Sequence, residues 1–385
     1  MIPVSTLLGT EDDAATTVIS RESTRGATVV WHATGGDNLE CAYREAAGPG
    51  RAEGELTTAE AKGFIDDLAD YGVEVLRVAG GEPLLREDLS ELIAHATDSG
   101  LETVLETNGT LLRAEKSEAL ADAGLSYAAV AVDGLPDRHD EIWGREGAFD
   151  DAVAGIEAAQ AADLPVAVRF TITDENAPDM EEVLDMLALE GVKRFEFAHL
   201  EYDDNEVMDL DVDHDARRRA VRRVCDLTLD AHERGHEIET VLSGNYADAG
   251  YVYQYALDEL GEDRVAAVRE TLEDIGGDQA GDAIADVDYQ GNVHLTPHWQ
   301  RYALGNVRDR PFSAIWEDES NPILRKLRDR EDHVPDRCPD CDYYAMCRGG
   351  SRHRALAATG DLWARDPQCY LTDEEIGLED PASAD

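Results

Sequence analysis

Four cysteines near the C-terminus have the residue type and spacing of metal ligands. They form Cys338-x2-Cys341-x5-Cys347, followed by Cys369, with glycine and proline residues between them. Thiolates this close in sequence select zinc or an iron–sulfur cluster. In a reducing compartment, such a set indicates a metal site rather than disulfides. Four thiolates suit either choice, so the spacing alone leaves zinc and a [4Fe–4S] cluster open.

The sequence before these cysteines predicts an open parallel barrel. Short segments rich in β-branched residues alternate with helical segments such as 59–71 and 150–162. Six segments are predicted strands: 28–33, 73–79, 102–106, 127–132, 166–173 and 194–199. Strands separated by helices at this spacing pair in parallel through βαβ units. We therefore expect an α/β fold with a partial (β/α)6 TIM-like barrel, whose functional residues lie at the carboxyl ends of the strands.

The chain is strongly acidic. Its 34 Lys and Arg residues stand against 84 Asp and Glu residues, which gives a net charge of −50. This charge argues against nucleic acids and anionic membranes as partners, because both would be repelled. About 1 M salt shortens the Debye length to roughly 3 Å and makes such a surface tolerable. The composition is therefore typical of a halophilic protein, for which an archaeal source is expected, and it reports habitat rather than activity.

The chain also lacks the sequence signals of membrane insertion. No apolar run approaches the roughly 18 residues that a membrane span requires, and the N-terminus has no basic region followed by an apolar one. These features predict a soluble, cytoplasmic protein.

A segment after the first predicted strand resembles the signature of the radical SAM enzymes, in which three cysteines spaced C-x3-C-x2-C hold a [4Fe–4S] cluster. The three positions are Asp37, Cys41 and Arg44 here, while residues 38–39 and 42–43 still match the family. One thiolate cannot hold a four-iron cluster, and arginine has no lone pair to donate. The resemblance therefore implies a degenerate cluster site.

The C-terminal sequence resembles the SPASM module of radical SAM enzymes, especially those that make haem by the siroheme-derived route (iron-coproporphyrin decarboxylase-like). The matching segments are Gly291-Asn292-Val293-His294, Leu304-Gly305-Asn306-Val307, Phe312-x2-Ile315-Trp316, Cys347-Arg348-Gly349-Gly350, Gly360-Asp361 and Asp366-Pro367-x-Cys369-Tyr370. The resemblance covers nearly the whole chain. It implies that Cys338, Cys341, Cys347 and Cys369 hold one auxiliary [4Fe–4S] cluster, which favours the cluster over zinc.

The same resemblance marks the positions that would bind S-adenosylmethionine (SAM). Gly80-Gly81-Glu82-Pro83 matches the motif whose backbone receives the SAM amino group, and Asn108 begins a second matching turn. Two other positions usually carry a serine and an arginine that hold the SAM carboxylate. These are Ala131 and Trp143 here. Together with the degenerate cluster site, they argue against SAM binding and against radical chemistry.

Within the degenerate site, we expect Asp37 and Arg44 to pair and neutralise each other where a cluster would otherwise lie. The alternative is that both side chains face solvent on a mobile loop. Cys41 is interpreted as a relict of the old motif, and Cys225 as a small core residue.

A second auxiliary cluster is not expected. Fuller SPASM modules carry the cysteines of that cluster near the positions of His298 and Ser351. His294 and His298 are candidates to bind a metal or an iron porphyrin, because neutral imidazole suits iron. The alternative is that both are ordinary strand or turn residues.

The chain is predicted to divide into five segments. Residues 201–215 contain eight Asp or Glu and no Lys or Arg, helices are predicted at 216–232 and 251–272, and Gly276-Gly277 marks a break. The segments are an N-terminal extension (1–25), the barrel (26–200), an acidic loop and helical linker (201–275), the SPASM-like module (276–372) and an acidic tail (373–385).

Three functional hypotheses follow. The favoured one is a non-catalytic, one-cluster homologue that acts as partner, carrier or electron-transfer protein for a related radical SAM enzyme or a haem-pathway protein. The second is an enzyme with altered chemistry on a porphyrin or peptide, using residues such as His139, Asp133 and Glu82. The third is a radical SAM decarboxylase of iron-coproporphyrin that has kept its activity, which Arg44 opposes.

Overall fold

The computed structural model describes residues 1–9, 28–44, 48, 52–202 and 207–378. It contains one ten-stranded sheet. In chain order the strands are β1 (Thr28–Thr34), β2 (Val75–Gly80), β3 (Glu102–Thr107), β4 (Tyr127–Ala131), β5 (Val166–Ile172), β6 (Arg194–His199), β7 (Glu239–Ser243), β8 (Ile284–Val287), β9 (Asn292–His294) and β10 (Gly305–Asn306). Across the sheet the order is β10-β9-β8-β1-β2-β3-β4-β5-β6-β7. Strands β1 to β7 pair in parallel with their neighbours, and β8 pairs in parallel with β1. Strand β9 pairs in antiparallel orientation with both β8 and β10.

Helices connect the parallel strands, as the βαβ pattern requires. They are α1 (Val4–Leu8), α2 (Thr58–Tyr71), α3 (Leu89–Asp98), α4 (Ala114–Asp122), α5 (Pro136–Ile142), α6 (Ala148–Ala161), α7 (Met180–Leu189), α8 (His214–Glu233), α9 (Asp248–Glu259), α10 (Glu262–Ile275), α11 (Phe312–Trp316), α12 (Pro322–Arg328), α13 (Tyr344–Cys347) and α14 (Arg352–Thr359). The predicted α/β class and open parallel barrel are confirmed, and β1 to β6 end within two residues of the predicted strands.

The sheet extends beyond the six predicted strands at both edges. β7 lies inside residues 201–275, which were predicted as an acidic loop and a helical linker, and it pairs in parallel with β6. β8 comes from the C-terminal module and pairs in parallel with β1. The sequence pattern missed β7 because the strand has five residues and is bounded by polar Glu239 and Ser243. The C-terminal module is thus joined to the barrel by a shared sheet.

The predicted helix at 251–272 is two helices in the structure. α9 ends at Glu259, and α10 begins at Glu262. Leu260 between them has extended backbone angles (φ −111°, ψ 159°) that no helix can continue through. Gly261 then acts as the N-cap of α10. The single-helix prediction was wrong because the apolar periodicity runs on through this break.

The described ends of the chain pack against the barrel. Ile2 forms an antiparallel bridge with Leu242 of β7, and α1 packs on α8 and β7. Residues 10–25 of the predicted N-terminal extension lie outside the described residues. At the other end, Glu375 accepts two hydrogen bonds from Arg218 of α8, at 2.6 and 2.8 Å. Residues 379–385 of the predicted acidic tail also lie outside the described part.

The barrel core is a continuous apolar layer between the sheet and its helices. Trp31 of β1 packs edge-to-face against Phe64 of α2, and Phe64 contacts Phe312 of α11 in the same way. Because α11 belongs to the C-terminal module, this aromatic row fixes the module to the outside of the barrel. Among the described helices, none has both the length and the apolarity to cross a bilayer.

Candidate functional site

The four C-terminal cysteines lie around one small cavity. Cys338 begins a short 3-10 turn, Cys341 ends it, and Cys347 closes α13. Cys369 lies 22 residues further along the chain, yet it lines the same cavity as the other three. The structure therefore brings together all four residues that the sequence predicted as metal ligands.

Close backbone contacts hold this arrangement. Gly277 faces Cys347, and an added Cβ at Gly277 would collide with the Cys347 backbone. Asp366 is fully buried and accepts hydrogen bonds from Arg354 at 2.8 and 2.9 Å and from the Ser351 amide at 2.7 Å. The Asp366 carbonyl in turn accepts from the Cys369 amide at 3.0 Å. The buried Arg354–Asp366 ion pair therefore helps to position the thiol of Cys369.

The electrostatics of the cavity favour a bound positive centre. Burial and the neighbouring thiolates raise the pKa of Cys338 to about 11, although Arg352 and Arg337 oppose the rise. Burial raises the pKa of Cys347 still further. Thiols like these give up their protons when a metal compensates the negative charge.

The donor set of this cavity is four thiols. Four thiolates can hold either one zinc ion or a [4Fe–4S] cluster. The shared cavity therefore fits a thiolate-bound metal centre of either kind.

The segment from Asp37 to Arg44 contains a closed ion pair. Arg44 Nη2 lies 2.8 Å from Asp37 Oδ2, and the Asp37 side chain is 1% exposed. The other carboxylate oxygen of Asp37 accepts from the Leu39 amide at 3.0 Å and from Asn108 Nδ2 at 3.2 Å. The predicted Asp37–Arg44 pair is confirmed, and the solvent-facing alternative is wrong because the carboxylate is enclosed by donors.

Trp143 covers this ion pair. Its ring centre lies 5.2 Å from the Arg44 guanidinium carbon, within cation–π range. Trp143 Nε1 donates to Asp133 Oδ2 at 2.9 Å, and Tyr43 donates to the same oxygen at 2.6 Å. The His139 ring also stacks against the indole, with ring centres 5.9 Å apart. A side chain at a predicted SAM-binding position is thus part of a packed aromatic group.

Cys41 lies in an apolar environment beside this group. Together with Ala131, it packs against a buried cluster formed by Leu39, Trp143 and their neighbours. Burial raises the pKa of Cys41 to about 11, although the charge of Arg44 acts in the opposite direction. The thiol is therefore neutral at ordinary pH.

The glycine motif at the end of β2 packs closely against the backbone of the segment that follows β1. A Cβ added at Gly80 or Gly81 would collide with the Thr34 or Gly36 carbonyl, so both glycines are needed for backbone packing alone. The Glu82 carboxylate accepts from the Leu84 and Asn108 amides at 3.0 and 2.9 Å. Burial raises the pKa of Glu82 to about 7, although these hydrogen bonds lower it. Pro83 starts the 3-10 turn that follows.

A second cavity, of about 570 Å³, lies at the seam where β7 and β8 end the parallel barrel. We call it the seam cavity. It is lined by Ser243 of β7, Ile284 of β8, and His298, Ser351 and His353 of the C-terminal module. His298 and Ser351, the two positions where fuller SPASM modules were expected to carry cysteines, therefore both line this cavity.

The two candidate histidines have different environments. His294 is buried, and its ring nitrogens lie 3.1 Å from the Tyr302 carbonyl and 3.3 Å from Asp288 Oδ2. That makes His294 a structural residue of β9. His298 is 35% exposed at the seam cavity, with Nε2 at 2.8 Å from Glu201 Oε2.

Sequence reasoning missed a charged network inside the barrel. Arg77 of β2 and Arg169 of β5 each contact Glu106 of β3 and Glu196 of β6, at distances from 2.8 to 3.6 Å. All four residues line the seam cavity. The available signal was a charged residue within each of these otherwise apolar strands, since a buried charge must be paired or functional.

Comparison with known proteins identifies both parts of the chain. The model of the radical SAM superfamily matches residues 41–187, and the model of SPASM, an iron–sulfur cluster-binding domain, matches residues 279–342. The Fe-coproporphyrin III synthase of Methanosarcina barkeri is 39% identical over 91% of this chain and 89% of its own length. The pre-heme d1 synthase of Dinoroseobacter shibae is 37% identical over 91% and 87%.

A third relative is similar to this chain in sequence, and two solved structures are similar to it in fold. The AdoMet-dependent heme synthase of Methanosarcina barkeri is 32% identical over 89% of this chain and 95% of its own. anSMEcpe with bound AdoMet and the Cp18Cys peptide has a TM-score of 0.69 at 14% identity, covering 91% and 96%. Streptococcus suis SuiB bound to precursor peptide SuiA has a TM-score of 0.72 at 15% identity, covering 92% and 76%. At this identity the two structures bear on the fold alone. The chain therefore belongs to the radical SAM superfamily, among the SPASM-carrying iron–sulfur proteins related to haem biosynthesis enzymes.

Proposed function

We propose that this protein is a non-catalytic member of its family. It holds one auxiliary [4Fe–4S] cluster through Cys338, Cys341, Cys347 and Cys369. It serves as a partner or electron-transfer protein for a related radical SAM enzyme or another protein of a haem pathway. The observation that carries the proposal is the Arg44–Asp37 ion pair at the positions that would hold the SAM cluster.

The residues of the signature do not fit a cluster. A [4Fe–4S] cluster that binds SAM needs three thiolates in this segment, and the segment offers the single thiol of Cys41. Arg44 holds a permanent positive charge between Asp37 and the Trp143 ring, and displacing it would leave a buried carboxylate without its partner. Radical cleavage of SAM therefore has no electron source at this site.

The C-terminal cysteines do fit a cluster. When bound there, a [4Fe–4S] cluster supplies one-electron transfer. The chain's own residues support that role, because Cys338, Cys341 and Cys369 are half-buried and lie close to the protein surface. Arg337 and Arg352 place positive charge near Cys338 and so favour the thiolate.

The haem-pathway context rests on the relatives. Three relatives that match about nine-tenths of this chain are named Fe-coproporphyrin III synthase, pre-heme d1 synthase and AdoMet-dependent heme synthase. A chain of this family that gathers four C-terminal cysteines, but offers a single thiol in its signature segment, is suited to binding what those enzymes bind or to assisting one of them.

A SAM cleavage assay tests the proposal. The anaerobically reconstituted protein, with dithionite and SAM, is expected to form no 5′-deoxyadenosine above the level of a protein-free control. The Cys41→Ala variant should behave identically, because Cys41 holds no cluster. Formation of 5′-deoxyadenosine that disappears in Cys41→Ala would instead show that the signature segment still binds a working cluster.

A further inference from the structure

Among the described residues, one buried arginine beside the cysteine cavity has no carboxylate partner. Arg352 is 1% exposed, and its hydrogen bonds go to backbone carbonyls. Nε donates to the Gly350 carbonyl at 3.2 Å, and Nη2 donates to the Gly349 carbonyl. Nη1 donates to the Leu362 and Ala364 carbonyls at 3.1 and 2.8 Å. Neutral carbonyls satisfy the donors of the guanidinium, but they leave its positive charge without a counter-ion.

The acidic residues whose charges act on Arg352 are already paired with other arginines. Asp366 accepts hydrogen bonds from Arg354 at 2.8 and 2.9 Å. Asp278 Oδ2 lies 3.0 Å from Arg330 Nη2, and the charge of Arg330 repels that of Arg352. Neither carboxylate is therefore free to serve as the counter-ion of Arg352.

The position of Arg352 in its helix adds to the energetic cost of this charge. Arg352 is the first residue of α14, which Ser351 caps by accepting a hydrogen bond from the Arg354 amide. The amino end of a helix carries partial positive charge, so a cation is disfavoured there. A buried cation at this position requires a nearby anion.

The place that the fold provides for an anion is the cysteine cavity. Gly349 and Gly350, whose carbonyls bind Arg352, also line the cavity that the four cysteines share. Arg352 is close enough to Cys338 for their charges to interact. Four thiolates around a zinc ion or a [4Fe–4S] core form a dianion, and one-electron reduction of the cluster makes it a trianion. A metal centre bound there would supply the negative charge that Arg352 lacks.

The two arginines that line the cavity have different environments. Arg337 Nη1 lies 3.1 Å from Oδ1 of Asp373, whose side chain is exposed. Arg365 is itself exposed, and its Nη2 donates to the Cys369 carbonyl at 2.7 Å. A carboxylate and solvent screen these two charges, whereas protein encloses the charge of Arg352.

We propose that Arg352 is the counter-charge of the C-terminal metal centre and that it raises the reduction potential of the cluster. The proposal rests on the proposed function, because it takes the four cysteines to hold a [4Fe–4S] cluster. Reduction adds one electron from a one-electron donor, and no proton or ligand has to leave. An enclosed positive charge stabilises the trianion more than the dianion, since net charge and burial set the potentials of such clusters.

A redox titration of the full, reconstituted chain, followed by electron paramagnetic resonance, tests this effect. Arg352→Gln removes the charge and should shift the reduction equilibrium tenfold toward the oxidised cluster, which makes the potential about 59 mV more negative for one electron. Arg352→Lys keeps the charge and should stay within about threefold of the wild type. Arg113→Gln, the control in an exposed ion pair with Asp151, should match the wild type.

Zinc binding to the cluster-free chain gives a second measurement that depends on neither iron nor electron transfer. Four thiolates bind zinc as a dianion, so the same counter-charge should strengthen this binding. In a competition titration with a chelator, Arg352→Gln should bind zinc about tenfold more weakly than the wild type, and Arg352→Lys should bind it within about threefold. If Arg352→Gln does not fold, the comparison of Arg352→Lys with the wild type still decides whether the charge suffices.

Two results would overturn the proposal. Equal potentials and zinc affinities in the wild type and Arg352→Gln would show that the charge does not act on the metal centre. A loss in Arg352→Lys as large as that in Arg352→Gln would show that the hydrogen bonds matter instead of the charge. In both cases the proposed function would stand. If the wild type takes up no cluster, the proposed function fails, and the zinc titration still tests Arg352.

Discussion

Replacing Cys347 with alanine is expected to abolish the cluster of this protein. Cys347 closes α13, lies against the backbone of Gly277 and faces the cavity that the other three cysteines share. Removing one of four thiolates leaves an iron site without a protein ligand, and the cluster is then lost on desalting. Iron and sulfide should fall from about four of each per chain in the wild type to below about one.

Cys41→Ala is the matched control for this prediction. Cys41 is also a half-buried thiol with a raised pKa, but it lies beside Arg44 and the Trp143 group instead of the C-terminal cavity. Its replacement should leave the iron and sulfide content unchanged. If Cys41→Ala lost iron while Cys347→Ala kept it, the assignment of the cluster to the C-terminal cysteines would be wrong.

Replacing Asp37 with alanine is expected to lower the free energy of unfolding by about 3 kcal/mol. The substitution leaves Arg44 without its counter-ion, and it removes the acceptor of the Leu39 amide and of Asn108. Breaking one side of a buried ion pair costs about 3–5 kcal/mol. The lower end is expected here because 33% of the Arg44 side chain remains accessible. Denaturant unfolding followed by circular dichroism measures the change.

Two comparisons separate this effect from ordinary surface electrostatics. The double variant Asp37→Ala/Arg44→Met should regain part of the lost free energy of unfolding, because an apolar side chain at position 44 does not need a carboxylate as counter-ion. Asp151→Ala removes the shared partner of Arg113 and Arg145, which like Asp151 are more than a third exposed, and should cost less than about 1 kcal/mol. If Asp37→Ala lowered the free energy of unfolding no more than Asp151→Ala does, the Asp37–Arg44 ion pair would not stabilise the segment that contains it.

The regular parts of the fold followed from sequence periodicity. β1 to β6 are apolar and β-branched, and each is followed by a helix, so their type and parallel pairing could be predicted. β7 escaped prediction because pairing with β6 stabilises it, and its own five residues include polar ends. Its membership of the sheet is a tertiary effect that no local pattern contains.

The site was predictable where one residue type carries the chemistry. The spacing of the cysteines predicted that four of them share one site, and the opposite charges of Asp37 and Arg44 predicted that these two residues pair. The seam cavity was not predictable, because Glu201, His298 and His353 come from distant parts of the chain and meet only in the folded structure. Their separation of up to about 150 residues in the sequence leaves no periodic signal.

The central claim is that the protein holds one cluster, at the C-terminal cysteines, and that SAM does not reach it. The most direct measurement is electron paramagnetic resonance of the anaerobically reconstituted, dithionite-reduced protein before and after SAM addition, with iron and sulfide counted on the same sample. The account predicts about four iron and four sulfide per chain and one signal that SAM leaves unchanged. About eight of each, with a second signal that shifts when SAM is added, would contradict it.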